Sequence, residues 1–397
     1  MFLQRNLQKT LLAMANQFKA VAVTGPRQSG KTTLCREQFP RLPYVSLENP
    51  DERGRAERDP RGFLRRFPDG CILDEVQRVP DLFSYLQEVL DAERRPGRYI
   101  LTGSQQFGVM ANISQSLAGR VGLLALLPFS ASELHSAQCL PDSWTEALFR
   151  GGYPPLYDQG IDPGFWLNAY IATYVERDVR QIVNIQDASL FQRFLGLSAG
   201  NIGQLFNASR IGNDCGLNHG TVTKWFSILE SSYIAFRLTP HHSNFRKRLV
   251  KTPKLYFWDT GLAIQLLGIE DPAQLQTHPL RGALFENWVI VELMKLRLNL
   301  GKRPNLYFWR NNTGLEVDVL ADYAGRLLPV EIKSGETLSP DWLTAMRRWT
   351  DLAGDAAMEP CLFYGGEIES KEAEVHILPW RRLATPESLP GALGTRQ

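Results

Sequence analysis

The sequence predicts an α/β protein in three parts: an N-terminal parallel sheet, a helical middle containing a winged helix, and a smaller α/β domain at the C-terminal end. Three observations predict it. Short apolar runs alternate with helical stretches from Val21 to about Leu127, the rhythm of βαβ units. A glycine-framed stretch, GPRQSGKTT from Gly25 to Thr33, stands between an apolar β-branched run and a helix-compatible one. Behind a long apolar helix near Phe285, the last third sets three strand-like runs in succession. A length of 397 residues gives two or three domains with ample core.

Composition narrows the class. Hydrophobic residues make up 44% and charged residues 22%, an ordinary globular balance. A net charge of +2 excludes a globally basic nucleic-acid binder, so any such contact must come from a local patch. Five scattered Cys without a C-x-x-C pair argue against a zinc cluster or a disulfide framework. The N-terminus has an amphipathic helical rhythm rather than that of a leader, and no apolar run approaches membrane-spanning length. The expected location is the cytoplasm, with no membrane partner.

Val21-Ala22-Val23 leads into the glycine-framed stretch and Thr33-Leu34-Cys35-Arg36-Glu37 leads out, so it has the form G-x-x-x-x-G-K-[ST] at a strand-to-helix junction. Gly25 and Gly30 let the backbone wrap closely and turn successive N–H groups inward, and the helix N-terminus adds its partial positive charge. Gly25, Pro26, Arg27, Gln28, Ser29, Gly30, Lys31, Thr32 and Thr33 are therefore expected to hold a nucleotide. Lys31 would reach its β- and γ-phosphates and Thr32 would ligate Mg²⁺. A tight glycine turn beside a surface lysine is the plainer alternative.

Further strands are expected at Tyr44–Ser46, Cys71–Leu73, Tyr99–Leu101 and Leu123–Leu127. The second of these ends in Asp74-Glu75, and paired carboxylates at a buried strand tip need something to offset their repulsion. Beside a phosphate loop, Asp74 would hold Mg²⁺ through water and Glu75 would polarise the attacking water. The alternative is a helix cap ahead of Leu82–Leu90. After the next strand, Ser104 would orient water between the acids and the γ-phosphate, with Thr102 in reserve and a plain turn as alternative. A helical stretch from Gln106 to Ala118 closes on Gly119-Arg120. Arg120 would point towards a neighbouring subunit as an arginine finger, or else bind its own helix's terminal carbonyls.

In this order the segment resembles the AAA+ ATPases, which implies ATP and Mg²⁺ as cofactors and a homo-oligomer that completes the site. Pro128-Phe129-Ser130-Ala131-Ser132-Glu133-Leu134 and Gly151-Gly152-Tyr153-Pro154 are similar to a bacterial and archaeal AAA+ group with a C-terminal domain of unknown function, family 4143.

From Trp144 to about Ile185, apolar residues recur every three or four positions (Tyr170, Ile171, Tyr174, Val175, Val179, Ile182), which would suit a helical lid. Glu176, Arg177, Asp178 and Arg180 read as its solvated face. Helices at Phe191–Ser198, around Leu205–Phe206 and at Thr221–Leu229 follow. A turn-rich Arg210–Leu217 lies between the last two, and strands at Tyr233–Leu238 and Leu255–Trp258 complete a winged helix. Its third helix would turn His219, Thr221, Thr223 and Lys224 outward and Val222, Trp225, Phe226 and Leu229 inward. The stretch from His241 to Lys254 holds Arg246, Lys247, Arg248, Lys251 and Lys254 and no acid, so DNA phosphates are its expected partner. Docking on an acidic protein partner is the alternative.

Strands at Leu306–Trp309, Leu315–Leu320 and Leu327–Lys333 carry Asp318 and Glu331-Ile332-Lys333, with Glu286 on the preceding helix. This D…E-x-K layout resembles the PD-(D/E)xK nuclease superfamily. In such a site Asp318 and Glu331, with Glu286, would bind a metal ion and Lys333 would activate water. Alternatively, both carboxylates face solvent on a hairpin. Glu369-Ser370-Lys371 repeats the triplet in what reads as a polar loop. A helix at Trp342–Leu352 and strands at Cys361–Tyr364 and Val375–Leu378 would complete this layer. The expected plan is residues 1–143 as ATP-binding module, 144–190 as lid or linker, 191–262 as winged helix and 263–397 as nuclease-like domain.

Overall fold

Five strands, all parallel, form one sheet near the N-terminus: β1 (Ala20–Thr24), β2 (Tyr44–Ser46), β3 (Cys71–Asp74), β4 (Tyr99–Gly103) and β5 (Val121–Ala125), in the order β2-β3-β4-β1-β5. The computed structural model describes residues 3–92, 95–104, 117–179, 187–241, 250–339, 341–372 and 374–389, with backbone alone for 176–179 and 388. They divide into two compact units. The first is Met1–Phe129 with Ser231–Tyr233 and Arg297–Arg303; the second holds the rest. The helix expected at Gln106–Ala118 lies almost wholly outside the described residues. So do Arg180 and Ile182, and the side chains of Glu176, Arg177, Asp178 and Val179.

In the first unit every residue of β1 is buried, so the strand reads as a continuous apolar run rather than an alternation. Helices α1 (Gln8–Ala15), α2 (Lys31–Gln38), α3 (Pro50–Arg58), α4 (Pro60–Arg65) and α5 (Leu82–Ala92) belong to this unit. Leu7, Leu11 and Ala15, four residues apart, form the buried face of α1. β5 begins two residues earlier than the apolar run suggests. Leu126 and Leu127 are buried, but beyond the strand.

The second unit is mainly helical up to residue 230. Its helices are α6 (Ala131–Ser136), α7 (Trp144–Arg150), α8 (Pro155–Asp158), α9 (Pro163–Tyr170, continuing as a π-helix over Ile171–Val179), α10 (Ala188–Gly200), α11 (Ala208–Cys215) and α12 (His219–Ser231). An antiparallel pair follows, β6 (Ala235–Leu238) and β7 (Lys254–Phe257). Two expectations are corrected here: α11 occupies most of the turn expected at Arg210–Leu217, and Leu205, expected on a short helix with Phe206, instead makes an antiparallel bridge to Lys254. Asn207 accepts from the Arg210 N–H at 2.9 Å to start α11, and Gly216 ends it in the left-handed region (φ 77°). On α12 the expected inward residues are buried, while His219 and Lys224 are exposed.

After α13 (Thr260–Leu266) and α14 (Arg281–Asn299) comes a mixed six-stranded sheet in the order β12-β13-β11-β10-β9-β8. Its strands are β8 (Leu306–Arg310), β9 (Glu316–Tyr323), β10 (Arg326–Lys333), β11 (Cys361–Tyr364), β12 (Ser370–Glu372) and β13 (Val375–Pro379), with α15 (Trp342–Ala353) between β10 and β11. The triplet Glu369-Ser370-Lys371 thus enters a short edge strand rather than a loop. Residues of α7, α10, α12 and α14 share one hydrophobic core; Trp144 meets Phe285 edge-on with ring centroids 5.1 Å apart. No helix among the described residues is long and apolar enough to cross a membrane.

Two sequence phrases have structural causes here. Ser130 and Glu133 form a reciprocal capping box on α6, each side chain bonded to the other's backbone N–H. At the end of α7, Gly151 takes φ 71°, and Asp259 accepts from the Gly152 N–H at 2.8 Å and the Leu262 N–H at 3.0 Å. Asp259 is buried, which pushes its carboxyl up, while those N–H groups oppose the shift. Asp259→Ala leaves two buried N–H groups without an acceptor, and urea unfolding is expected to show a loss of about 2–4 kcal/mol. A loss under about 1 kcal/mol would mean that the junction is held by other contacts.

Candidate active site

The loop from Gly25 to Gly30 joins β1 to α2 through three residues at positive φ: Gly25 (147°), Gln28 (66°) and Gly30 (90°). A Cβ added to Gly25 would lie 2.1 Å from the Leu126 carbonyl oxygen, so a side chain is excluded there. Lys31 opens α2 and is buried. Its ammonium donates to the loop's own carbonyls, Gly25 O at 3.0 Å and Pro26 O at 2.7 Å. Burial pulls its pKa down to about 8 against the attraction of Glu75 and Asp74. The Ser29 hydroxyl is buried without a hydrogen-bond partner, and Arg27 pairs with Glu48 at 3.0 Å. Thr32 and Thr33 line an open cavity of about 490 Å³ with Arg36 and Tyr44.

Because β4 lies between β1 and β3, its C-terminal end stands between the loop and the paired acids. Asp74, the last residue of β3, is buried and accepts hydroxyl hydrogen bonds from Thr32 (3.1 Å), Tyr44 (2.8 Å) and Thr102. Glu75 turns out of the strand at φ 55° and accepts from Ser104 (2.9 Å) and Gln77 (2.5 Å). Neither acid caps α5, and the short turn Val76–Arg78 has no side-chain cap. The two polar residues at the end of β4 therefore have separate partners, Thr102 on Asp74 and Ser104, just after the strand, on Glu75.

These residues fit a magnesium nucleotide. A threonine hydroxyl and a carboxylate oxygen are hard donors of the kind Mg²⁺ takes, and they already stand 3.1 Å apart. Lys31 is a buried cation that donates to two carbonyls and is attracted by Glu75 and Asp74. Arg120, by contrast, does not project freely. It makes a two-point ion pair with Asp91 of its own chain (2.5 and 2.9 Å) and donates to the Ala118 carbonyl at 3.3 Å.

Two contributors escaped the sequence reading. Tyr44 binds the second oxygen of Asp74, and burial together with that bond pushes its phenol up to about 12. Arg5, almost fully buried, donates to the Ser29 carbonyl at 2.7 Å and to Leu127 O at 2.5 Å, with its guanidinium 4.7 Å from the Phe129 ring centroid. The only signal for Arg5 was a charge beside an apolar helical face. For Tyr44 there was none beyond an aromatic at a strand start.

The acids of the second unit tell a different story. Register pairs Val319 with Val330, so Asp318 and Glu331 stand one step further along the same two strands. Both are buried, at 9% and 5% exposure, which removes the reading of two solvent-facing carboxylates. Lys333 lies 2.5 Å from Glu331 and 3.8 Å from Asp318. Burial and the Asp318 charge push the Glu331 carboxyl up to about 8 against the pull of Lys333. Glu286 on α14 accepts from the Tyr256 hydroxyl and from Lys254 at 3.0 Å.

Lys254 needs a correction. It was expected on DNA, but only 4% of it is exposed, and its ammonium lies between Glu286 and Glu316, the latter at 2.6 Å. Lys251 is exposed, while Arg246, Lys247 and Arg248 lie outside the described residues. Among the described residues no group of three or more His, Cys, Asp or Glu side chains is arranged to hold a metal ion. Glu286, Glu331 and Asp318 instead face lysine ammoniums, so they do not fit a divalent ion as they stand.

Comparison with known proteins agrees with this layout. Residues 17–135 match the AAA domain family, 141–273 a domain of unknown function (DUF8612) and 281–383 a domain of unknown function (DUF4143). Among solved structures the chain is similar to the Walker-type ATPase of Pyrococcus abyssi (14% identity, 67% of this chain and 96% of that one, TM-score 0.44). It is also similar to AMPPCP-bound DnaA from Aquifex aeolicus (14%, 56% and 85%, TM-score 0.30). An uncharacterized protein of Haemophilus influenzae is 22% identical over 284 residues, 66% of this chain and 64% of that protein. Uncharacterized proteins of Mycobacterium tuberculosis and Mycobacterium bovis are each 32% identical over 340 residues, 85% of this chain and 75% of theirs. The chain belongs to the same family as these mycobacterial proteins, as a member in which an AAA ATPase domain precedes the DUF8612 and DUF4143 domains.

Proposed function

We propose that this chain is a magnesium-dependent ATPase whose turnover is coupled to work on DNA, and that the acid-lysine cluster of its second unit is not a nuclease centre. The observation that carries the ATPase reading is the meeting of Lys31, Thr32, Asp74, Glu75 and Ser104 at one end of a parallel sheet. Backbone N–H groups of the glycine-framed loop receive the phosphates, and Lys31 exchanges its carbonyl partners for phosphate oxygens. Thr32 and Asp74 would hold Mg²⁺, whose positive charge would offset that of the phosphates. Glu75 orients the attacking water and takes up its proton, while Ser104 and Gln77 fix the carboxylate's direction.

DNA enters through the basic stretch, where Lys251 is exposed and Arg246, Lys247 and Arg248 are the remaining cations. A nucleotide-driven switch that docks a protein is the second reading. It is favoured by the burial of Lys254, which takes one cation out of that stretch.

Three outcomes are expected. Glu75→Gln lowers Mg²⁺-ATP turnover by roughly 100-fold or more with nucleotide affinity nearly unchanged, measured by phosphate release and by titration. A wild-type chain without turnover, with or without DNA, removes the enzyme reading.

If Arg120 leaves its Asp91 pair to reach a neighbouring copy in a homo-oligomer, Arg120→Ala and Lys31→Ala chains are each inactive alone but recover turnover when mixed, because one supplies the intact loop and the other the arginine. Full activity of Arg120→Ala would exclude the finger.

Duplex DNA binding should weaken steeply with salt and fall when Arg246, Lys247 and Arg248 become Ala. Absence of binding at low salt would favour the protein-docking switch.

A further inference from the structure

The surplus of buried acid in the second unit is neutralised by the chain itself. Glu286, Glu316, Asp318 and Glu331 come from one helix and two adjacent strands, α14, β9 and β10. Asp318 and Glu331 are at least nine-tenths buried beside a cleft of about 820 Å³ that Lys333 also lines, while Glu286, on the helix, and Glu316 are partly buried, with side chains 15% and 25% exposed. Such a set is unstable without a cation, since each charge has lost its water and repels the others. Two protein cations already serve it from inside. Lys333 bridges Glu331 and Asp318, and Lys254, entering on β7, bridges Glu286 and Glu316. Arg310 adds a third positive group, 3.3 Å from Glu316.

Lys254 differs from Lys333 in one respect that matters. Lys333 is one-third exposed at its side chain and can swing away, whereas the side chain of Lys254 is 5% exposed. It is hemmed in by the Phe308 ring, 5.6 Å from the ammonium to the ring centroid, and by the Tyr256 hydroxyl on the same carboxylate. A lysine this enclosed cannot leave without emptying the core of the cluster.

We propose that the Lys254 ammonium stands permanently where a divalent cation would otherwise be required, as an internal counter-ion to Glu286 and Glu316. Glu286, the helix acid of the D…E-x-K layout, is thereby committed to Lys254, while Asp318 and Glu331 keep Lys333 as their partner. The D…E-x-K layout is kept as a packing solution, with the lysine doing the neutralising that an ion would do. This inference is independent of the ATPase reading, because none of its residues belongs to the first unit.

The test uses the full chain carrying Asp74→Asn, so that manganese at the nucleotide loop is not counted, and Mn²⁺ as the probe by equilibrium dialysis and electron paramagnetic resonance. The expected result is no bound Mn²⁺ and a melting temperature indifferent to it. Lys254→Met in the same background should bind about one Mn²⁺ per chain and melt several degrees higher with the ion than with a chelator. A variant that folds only when Mn²⁺ is present is the same result at its extreme. If Lys254→Met does not fold at all, Lys254→Met with Glu286→Gln and Glu316→Gln should recover a folded chain, because the charges needing a cation are gone. One equivalent of Mn²⁺ bound before any change at Lys254, and lost on Asp318→Asn, would overturn the proposal. So would a folded Lys254→Met chain that ignores Mn²⁺.

Discussion

The carboxylate of Asp74 is the point on which the first unit turns. It lies at the tip of a buried strand and is held by three hydroxyls, from Thr32 on the helix after the glycine-framed loop, Tyr44 on β2 and Thr102 on β4. All three are neutral donors. They fix the carboxylate's orientation without cancelling its charge, which leaves the full negative charge available to a cation. The strand order makes this possible. With β4 between β1 and β3, the loop, the polar residues and the acids lie side by side at the same end of the sheet.

The second unit solves a similar problem in the opposite way. There the carboxylates meet ammoniums, with the Tyr256 hydroxyl added at Glu286, so much of the charge is offset within the protein. The contrast shows why a motif alone does not define chemistry. A buried acid next to a threonine is poised for an ion, whereas one next to a buried lysine already has its partner. The first arrangement suits a site that loads and unloads, and the second a site that stays closed.

Much of this was legible because it depended on local pattern. The loop's glycines and lysine, the strands at Tyr44–Ser46 and Cys361–Tyr364 and the acids at the end of β3 all follow from spacing and alternation. Helix α11 was not legible. Gly212, Asn213 and Asp214 have weak helix propensity, and burial of Ile211 and Cys215 overrides it. Gly212 is there because a Cβ would come within 2.5 Å of the Leu217 carbonyl oxygen, a tertiary reason invisible to a propensity argument. Lys254 was misplaced because a lysine beside a basic run reads as solvated. The opposing sign was in its other neighbours, Leu255, Tyr256 and Phe257, which make the first residue of that strand a buried one. Tyr44 and Arg5 act through contacts made only when distant segments fold together, so no spacing could reveal them.

The most direct measurement is the affinity of a fluorescent ATP analogue with and without Mg²⁺, for the wild-type chain and for Asp74→Asn. If Asp74 and Thr32 hold the ion beside the nucleotide, Mg²⁺ tightens binding to the wild type, and the substitution removes that increment while leaving metal-free binding in place. An equal Mg²⁺ effect in both chains, or no nucleotide binding by the wild type, would contradict it.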